Sequence, residues 1–98
     1  MSKRGEAYKW HSTKKLATIF LKEEKKEEAI KLTSNTYQNL SNKELYETFD
    51  FAEFLKNNEK FEESIKYYSI VLDAIKKKHS LYSEAMDGRG VAYERIGK

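Results

Sequence analysis

The stretch Glu27-Glu28-Ala29-Ile30-Lys31 returns 35 positions later as Glu62-Glu63-Ser64-Ile65-Lys66. The echo extends upstream in the same register: Leu16-Ala17 becomes Phe51-Ala52, Phe20 becomes Leu55 and Glu24 becomes Glu59. A third copy begins near Ser83 and runs to Lys98. A repeat of this period constrains the fold more than any other feature, because such units bury their apolar faces on neighbours and do not close one core.

Composition narrows the class. The chain has no proline, which permits long helices and argues against a turn-rich β fold. It has no cysteine, which removes disulfides, thiolate nucleophiles and sulfur-ligated zinc, and fits a reducing, cytoplasmic setting. The net charge of +3 is mild, and lysines alternate with glutamates, as in Lys22-Glu23-Glu24-Lys25-Lys26. Mixed signs of this kind make a solvated face and not a single-sign field. No apolar run approaches the ~18 residues of a membrane span. No apolar segment follows the basic Met1-Ser2-Lys3-Arg4-Gly5, so a secretory signal is not expected.

Apolar spacing predicts five helices and an all-α fold. The first runs from about Glu6 to Lys22, with Tyr8, Leu16, Ile19 and Phe20 among its apolar positions, and Glu23 to Lys26 form a turn. The second, Glu27 to Leu40, aligns Ile30, Thr33, Tyr37 and Leu40. Ser41-Asn42 reads as a turn and N-cap. The third, Lys43 to Lys56, carries Leu45, Phe49, Ala52 and Leu55; Asn57-Asn58 ends it. The fourth, Phe61 to Lys77, aligns Phe61, Ile65, Tyr68, Leu72 and Ile75, and Lys76-Lys77-Lys78-His79 is expected to close it against the helix dipole. The fifth spans about Ser80 to Ile96.

These residues resemble the tetratricopeptide repeat, in the manner of bacterial proteins of that family. Ala17 and Ala52 take its first small position, and Ala29 and Ser64 follow each by 12 residues. Phe61, Ser64, Tyr68 and Val71 match its second helix, and Gly90, Tyr93 and Gly97 match the small, aromatic and turn-glycine positions. The resemblance implies a right-handed α-α superhelix of about five antiparallel helices in a single domain, 1–98. Its first, degenerate unit is 10–43, its second 45–78, and the first helix of an incomplete third 83–98. The first unit has Lys26, Thr33 and Thr36 where aromatics and a small residue are expected. Neither complete unit has the turn glycine, and the link to the third is read as longer, since Ala52 to Gly90 is 38 residues.

No constellation for catalysis stands out. Asp87-Gly88-Arg89-Gly90 lacks the strand and third glycine of a phosphate loop. His11 and His79 read as surface histidines, and the paired glutamates 23–24 and 27–28 as a solvated face. Lys76 to Lys78 and Lys3-Arg4 offer cations to phosphates, but lack the basic stripe with interleaved aromatics of a nucleic-acid binder. No enzyme activity, cofactor, metal, nucleic acid or membrane is expected.

What the family resemblance implies is protein–protein interaction. Its concave groove would be lined by His11, Lys14, Thr18 and Lys22, then by Tyr46, Phe49, Glu53 and Lys56, then by Glu84, Asp87, Val91 and Glu94. A peptide or partner helix is the expected occupant, and a groove used by nothing stays open. The two-carboxylate clamp for chaperone tails is not matched. Lys14 fits, but Thr18 and Asp50 stand where asparagines belong, and Glu84 and Gly88 replace a lysine and an arginine. Met86, Gly90 and Tyr93 form a C-terminal edge. That edge reads equally as a cap, a homodimer contact, or the stacking surface for a downstream repeat in a truncated or longer array.

Overall fold

Proline-free stretches with apolar residues every three or four positions form five α-helices. They are α1 (Lys3–Lys22), α2 (Lys26–Gln38), α3 (Leu45–Asn57), α4 (Phe61–Ala74) and α5 (Ser80–Arg95). The computed structural model describes residues 3–97, with side chains from Ala7 onward. The side chains of Lys3 and Arg4, and Lys98 as a whole, lie outside the described residues. No strand occurs among the described residues. The chain forms two compact units, Met1–Glu44 and Leu45–Lys98, divided between the first two copies of the repeat.

In the first unit α2 packs on α1. The buried stripe of α1 holds Trp10 and Ala17, and that of α2 holds Ala29, Ile30, Thr33 and Tyr37. Trp10 meets Tyr37 edge to face at 6.0 Å, a favoured aromatic geometry. Tyr8, Leu16 and Ile19, expected among the apolar positions of α1, are exposed, because the packed stripe passes through Trp10, Thr13 and Ala17 and leaves them on its flanks. The degenerate positions are satisfied locally. The fully buried Thr33 hydroxyl donates to the Ala29 carbonyl at 2.6 Å, and the Thr13 and Thr36 hydroxyls pair at 2.9 Å.

α2 ends at Gln38, not Leu40. The Lys43 ammonium donates to the Gln38 and Leu40 carbonyls, meeting acceptors that a helix end leaves free. Ser41 and Asn42 precede the first residue of α3 by four and three positions and serve as turn residues, not as its N-cap.

The second unit packs α3, α4 and α5 around Phe49, Ala52, Tyr68, Val71, Leu81 and Ala85. Phe61, expected in the core, is half-buried, with the Arg95 guanidinium 5.0 Å over its ring. α4 stops at Ala74, because Ile75 is extended (φ −125°, ψ 164°). Lys76 to Lys78 therefore lie in the linker and do not complement the α4 dipole. His79 is the N-cap of α5: its Nδ1 accepts from the Leu81 amide at 3.0 Å. The three surplus residues of the third copy extend the start of α5. Ala52 is seven residues beyond Leu45, the first of α3, whereas Gly90 is ten beyond Ser80, the first of α5. The linkers are not the cause, since 75–79 is one residue shorter than 39–44. The added turn carries Leu81 into the core.

One backbone device recurs three times. Glu24 (φ 61°), Glu59 (φ 69°) and Gly97 (φ 83°) adopt the left-handed conformation just past α1, α3 and α5. Lys25 and Lys60 then donate back to the Phe20 and Leu55 carbonyls, both at 2.8 Å, and α2 and α4 begin. Each left-handed residue lies seven positions after a small one: Ala17, Ala52 and Gly90. Only glycine adopts this conformation without steric cost. Glu59→Gly is expected to raise stability by up to ~1 kcal/mol in urea unfolding.

Gly88 and Gly90 sit two residues apart in environments that differ completely. A Cβ at Gly88 would lie 2.5 Å from the Tyr68 hydroxyl oxygen and closer still to its ring, whereas one at Gly90 meets nothing within 4 Å. Gly88→Ala is expected to cost ~1–3 kcal/mol by overpacking. Gly90→Ala is expected to stabilise by up to ~1 kcal/mol through helix propensity. Urea titration of the two variants against wild type reads the difference.

Candidate functional site

Helical spacing lines one flank of α5 with Glu84, Asp87, Val91 and Glu94, all exposed. The corresponding flank of α3 carries Tyr46, Phe49, Glu53 and Lys56. The two flanks adjoin through Tyr68 of α4, which touches Glu53 on one side and faces Gly88 on the other.

Tyr68 is fully buried, so its hydroxyl needs a partner. It donates to Glu53 Oε2 at 2.5 Å, and Lys56 Nζ stands 3.7 Å from the same carboxylate oxygen. Burial, then the hydrogen bond to Glu53 and its negative charge, push the Tyr68 hydroxyl well above the ordinary tyrosine range. Glu53 thus has a structural bond and is half-buried, in place of the open groove position expected for it.

Phe49 is a second correction. It is 9% exposed and packs edge to face on Tyr68 at 6.2 Å, within the core. It shares that core with Val71 of α4 and with Leu81 and Ala85 of α5. Tyr46, one turn earlier, is 57% exposed, with its ring 6.2 Å from His79. The expected aromatic pair therefore reduces to Tyr46, and on α5 Val91 is an exposed apolar side chain. Asp87 is exposed beside it.

The other predicted groove residues belong to the first unit. Lys14 is half-buried and Thr18 exposed on α1, one turn apart, and the Thr18 hydroxyl donates to the Lys14 carbonyl at 3.0 Å. His11 and Lys22 are exposed. At the C-terminal edge Met86 is 40% exposed and Tyr93 38%, with Gly90 open between them.

Sequence reasoning missed a cleft between α1 and α2, of about 420 Å³, lined by Tyr8, Lys9, Ser12, Thr13, Asn35, Thr36, Asn39 and Leu40. Among the described residues no cluster of three or more His, Asp or Glu side chains is placed to hold a metal ion, and no helix is long and apolar enough to cross a membrane. Comparison with protein-family models, curated proteins and solved structures finds no match.

The Tyr68–Glu53 bond carries a pH signature. A folded-state pKa raised above the unfolded value gives stability that is present below about pH 10 and is lost as pH climbs past it. Tyr68→Phe is expected to cost ~0.5–1.5 kcal/mol at neutral pH. Its deficit against wild type should shrink between pH 10 and 11, read by urea unfolding at each pH.

Proposed function

We propose that this chain is a non-catalytic protein-binding module of the tetratricopeptide-repeat kind, which takes a peptide or partner helix on the face shared by α3 and α5. The repeat reading is supported by the left-handed turn that recurs at Glu24, Glu59 and Gly97, each seven positions after a small residue. The binding reading rests on one observation: Tyr46 and Val91 are exposed apolar side chains among Glu84, Asp87 and Glu94.

Physical chemistry specifies the occupant. Exposed aromatics provide anchoring area at low entropic cost, and a carboxylate flank selects the sign of the partner. A short amphipathic segment with lysines or arginines on one side fits both demands. The half-buried Glu53 takes little part, because Tyr68 and Lys56 already occupy its carboxylate.

The test is fluorescence anisotropy with paired amphipathic peptides that differ only in carrying lysine or glutamate on the polar side. The lysine peptide is expected to bind, and binding should weaken as salt rises from 50 to 500 mM. Tyr46→Ala and Asp87→Asn should each weaken it by roughly tenfold. Equal binding of the two peptides, or no effect of either substitution, sinks the proposal.

A further inference from the structure

The side of α5 turned away from α3 and α4 is bare at the position where α1 and α3 are sealed. Ala17 and Ala52 are 0% exposed, and α2 and α4 place the equally buried Ala29 and Ser64 in the same hairpins. Gly90 is their counterpart by register, seven residues before the left-handed Gly97, yet it is exposed with open space around it. Met86 and Tyr93 flank it.

A second observation concerns the residue just before the small one. In α3 it is Phe51, whose ring meets Tyr67 of α4 at 4.8 Å. In α5 that place is held by Arg89. Its guanidinium donates to the Ser69 hydroxyl at 3.1 Å and lies 3.6 Å from the Met86 sulfur. Both are neutral groups, so the cation is held in place at the edge without a carboxylate against it. An arginine at the position of a stacked ring is suited to receive an aromatic face.

We propose that this face seats an amphipathic helix of a partner protein, with a small residue over Gly90 and an aromatic three positions on against Arg89. The three-residue spacing is that of Ser64 and Tyr67 in α4. The other border of the face carries Asp87 and Glu94, so lysines or arginines on that side of the incoming helix complete the fit. The same border disfavours an antiparallel second copy. An antiparallel symmetric pair brings like flank to like flank, and would set Asp87 and Glu94 against themselves. This face shares the Asp87 and Glu94 border with the face bearing Tyr46, but its own contacts, Gly90 and Arg89, are not part of that face.

The probe is a fluorescein-labelled synthetic peptide of residues 60–75, which carries Ser64 and Tyr67 three positions apart as the face requires. Titrated into the intact chain, it is expected to bind saturably. Gly90→Leu and Arg89→Gln should weaken binding at least tenfold and about threefold. A peptide with Ser64→Leu should lose binding to the wild-type chain, which tests the same crossing without altering the protein. Circular dichroism is expected to show wild-type helicity for Gly90→Leu. Absence of saturable binding, or equal affinity of the wild-type and Ser64→Leu peptides, overturns the proposal. Sedimentation equilibrium showing a dimer that Gly90→Leu abolishes also overturns it, in favour of a second copy.

Discussion

A buried phenol is stable only if its hydroxyl finds an acceptor and its ring finds neighbours shaped to it, and in the second unit both demands fall on Tyr68. Glu53 of α3 accepts the hydroxyl, Phe49 of α3 presents its edge, and α5 comes close enough to leave room only for a glycine at 88. One side chain of α4 therefore sets the depth at which both neighbouring helices lie. The interaction also decides what remains for binding. It withdraws Phe49 and Glu53 from the surface and leaves Tyr46, Val91 and the carboxylates of α5 as the outward groups.

α5 consequently has three distinct sides. Leu81, Ala85, Gly88 and Ala92 are buried. Glu84, Asp87, Val91 and Glu94 form an acidic flank, and Gly90 lies opposite the buried stripe. Its apolar residues are not gathered on one side, as they are in a simple surface helix. The acidic flank thus borders both outward sides of the helix, one with Val91 beyond it and the other with the open Gly90.

Much of this was legible in the sequence. Five helices follow from spacing, and the small positions Ala17, Ala29, Ala52 and Ser64 are all fully buried, as the repeat register requires. The turn at Glu24 and Glu59 was marked by position, although glutamate there conceals the left-handed backbone. Depth was not legible. Periodicity assigns Phe49 an angle around α3 but cannot say how far α5 reaches across it. It could not choose Trp10 over Tyr8 either, because the choice depends on Tyr37 in another helix. The end of α4 was missed because lysines suit a helix terminus by charge, whereas the extended backbone at Ile75 and the His79 cap on α5 decide the boundary.

Thr33 and Tyr68 occupy the same place in the repeat, yet they bind their hairpins in different ways. The Thr33 hydroxyl is satisfied within α2, so α1 is held instead by the Thr13–Thr36 hydroxyl pair and the Trp10–Tyr37 contact, one helix at a time. The Tyr68 hydroxyl is satisfied by α3, and its ring is fitted against α5, so displacing α4 disrupts both neighbours together. The second unit is thereby built to open as one cooperative body of three helices. Amide hydrogen exchange would then collapse toward a common rate across α3, α4 and α5.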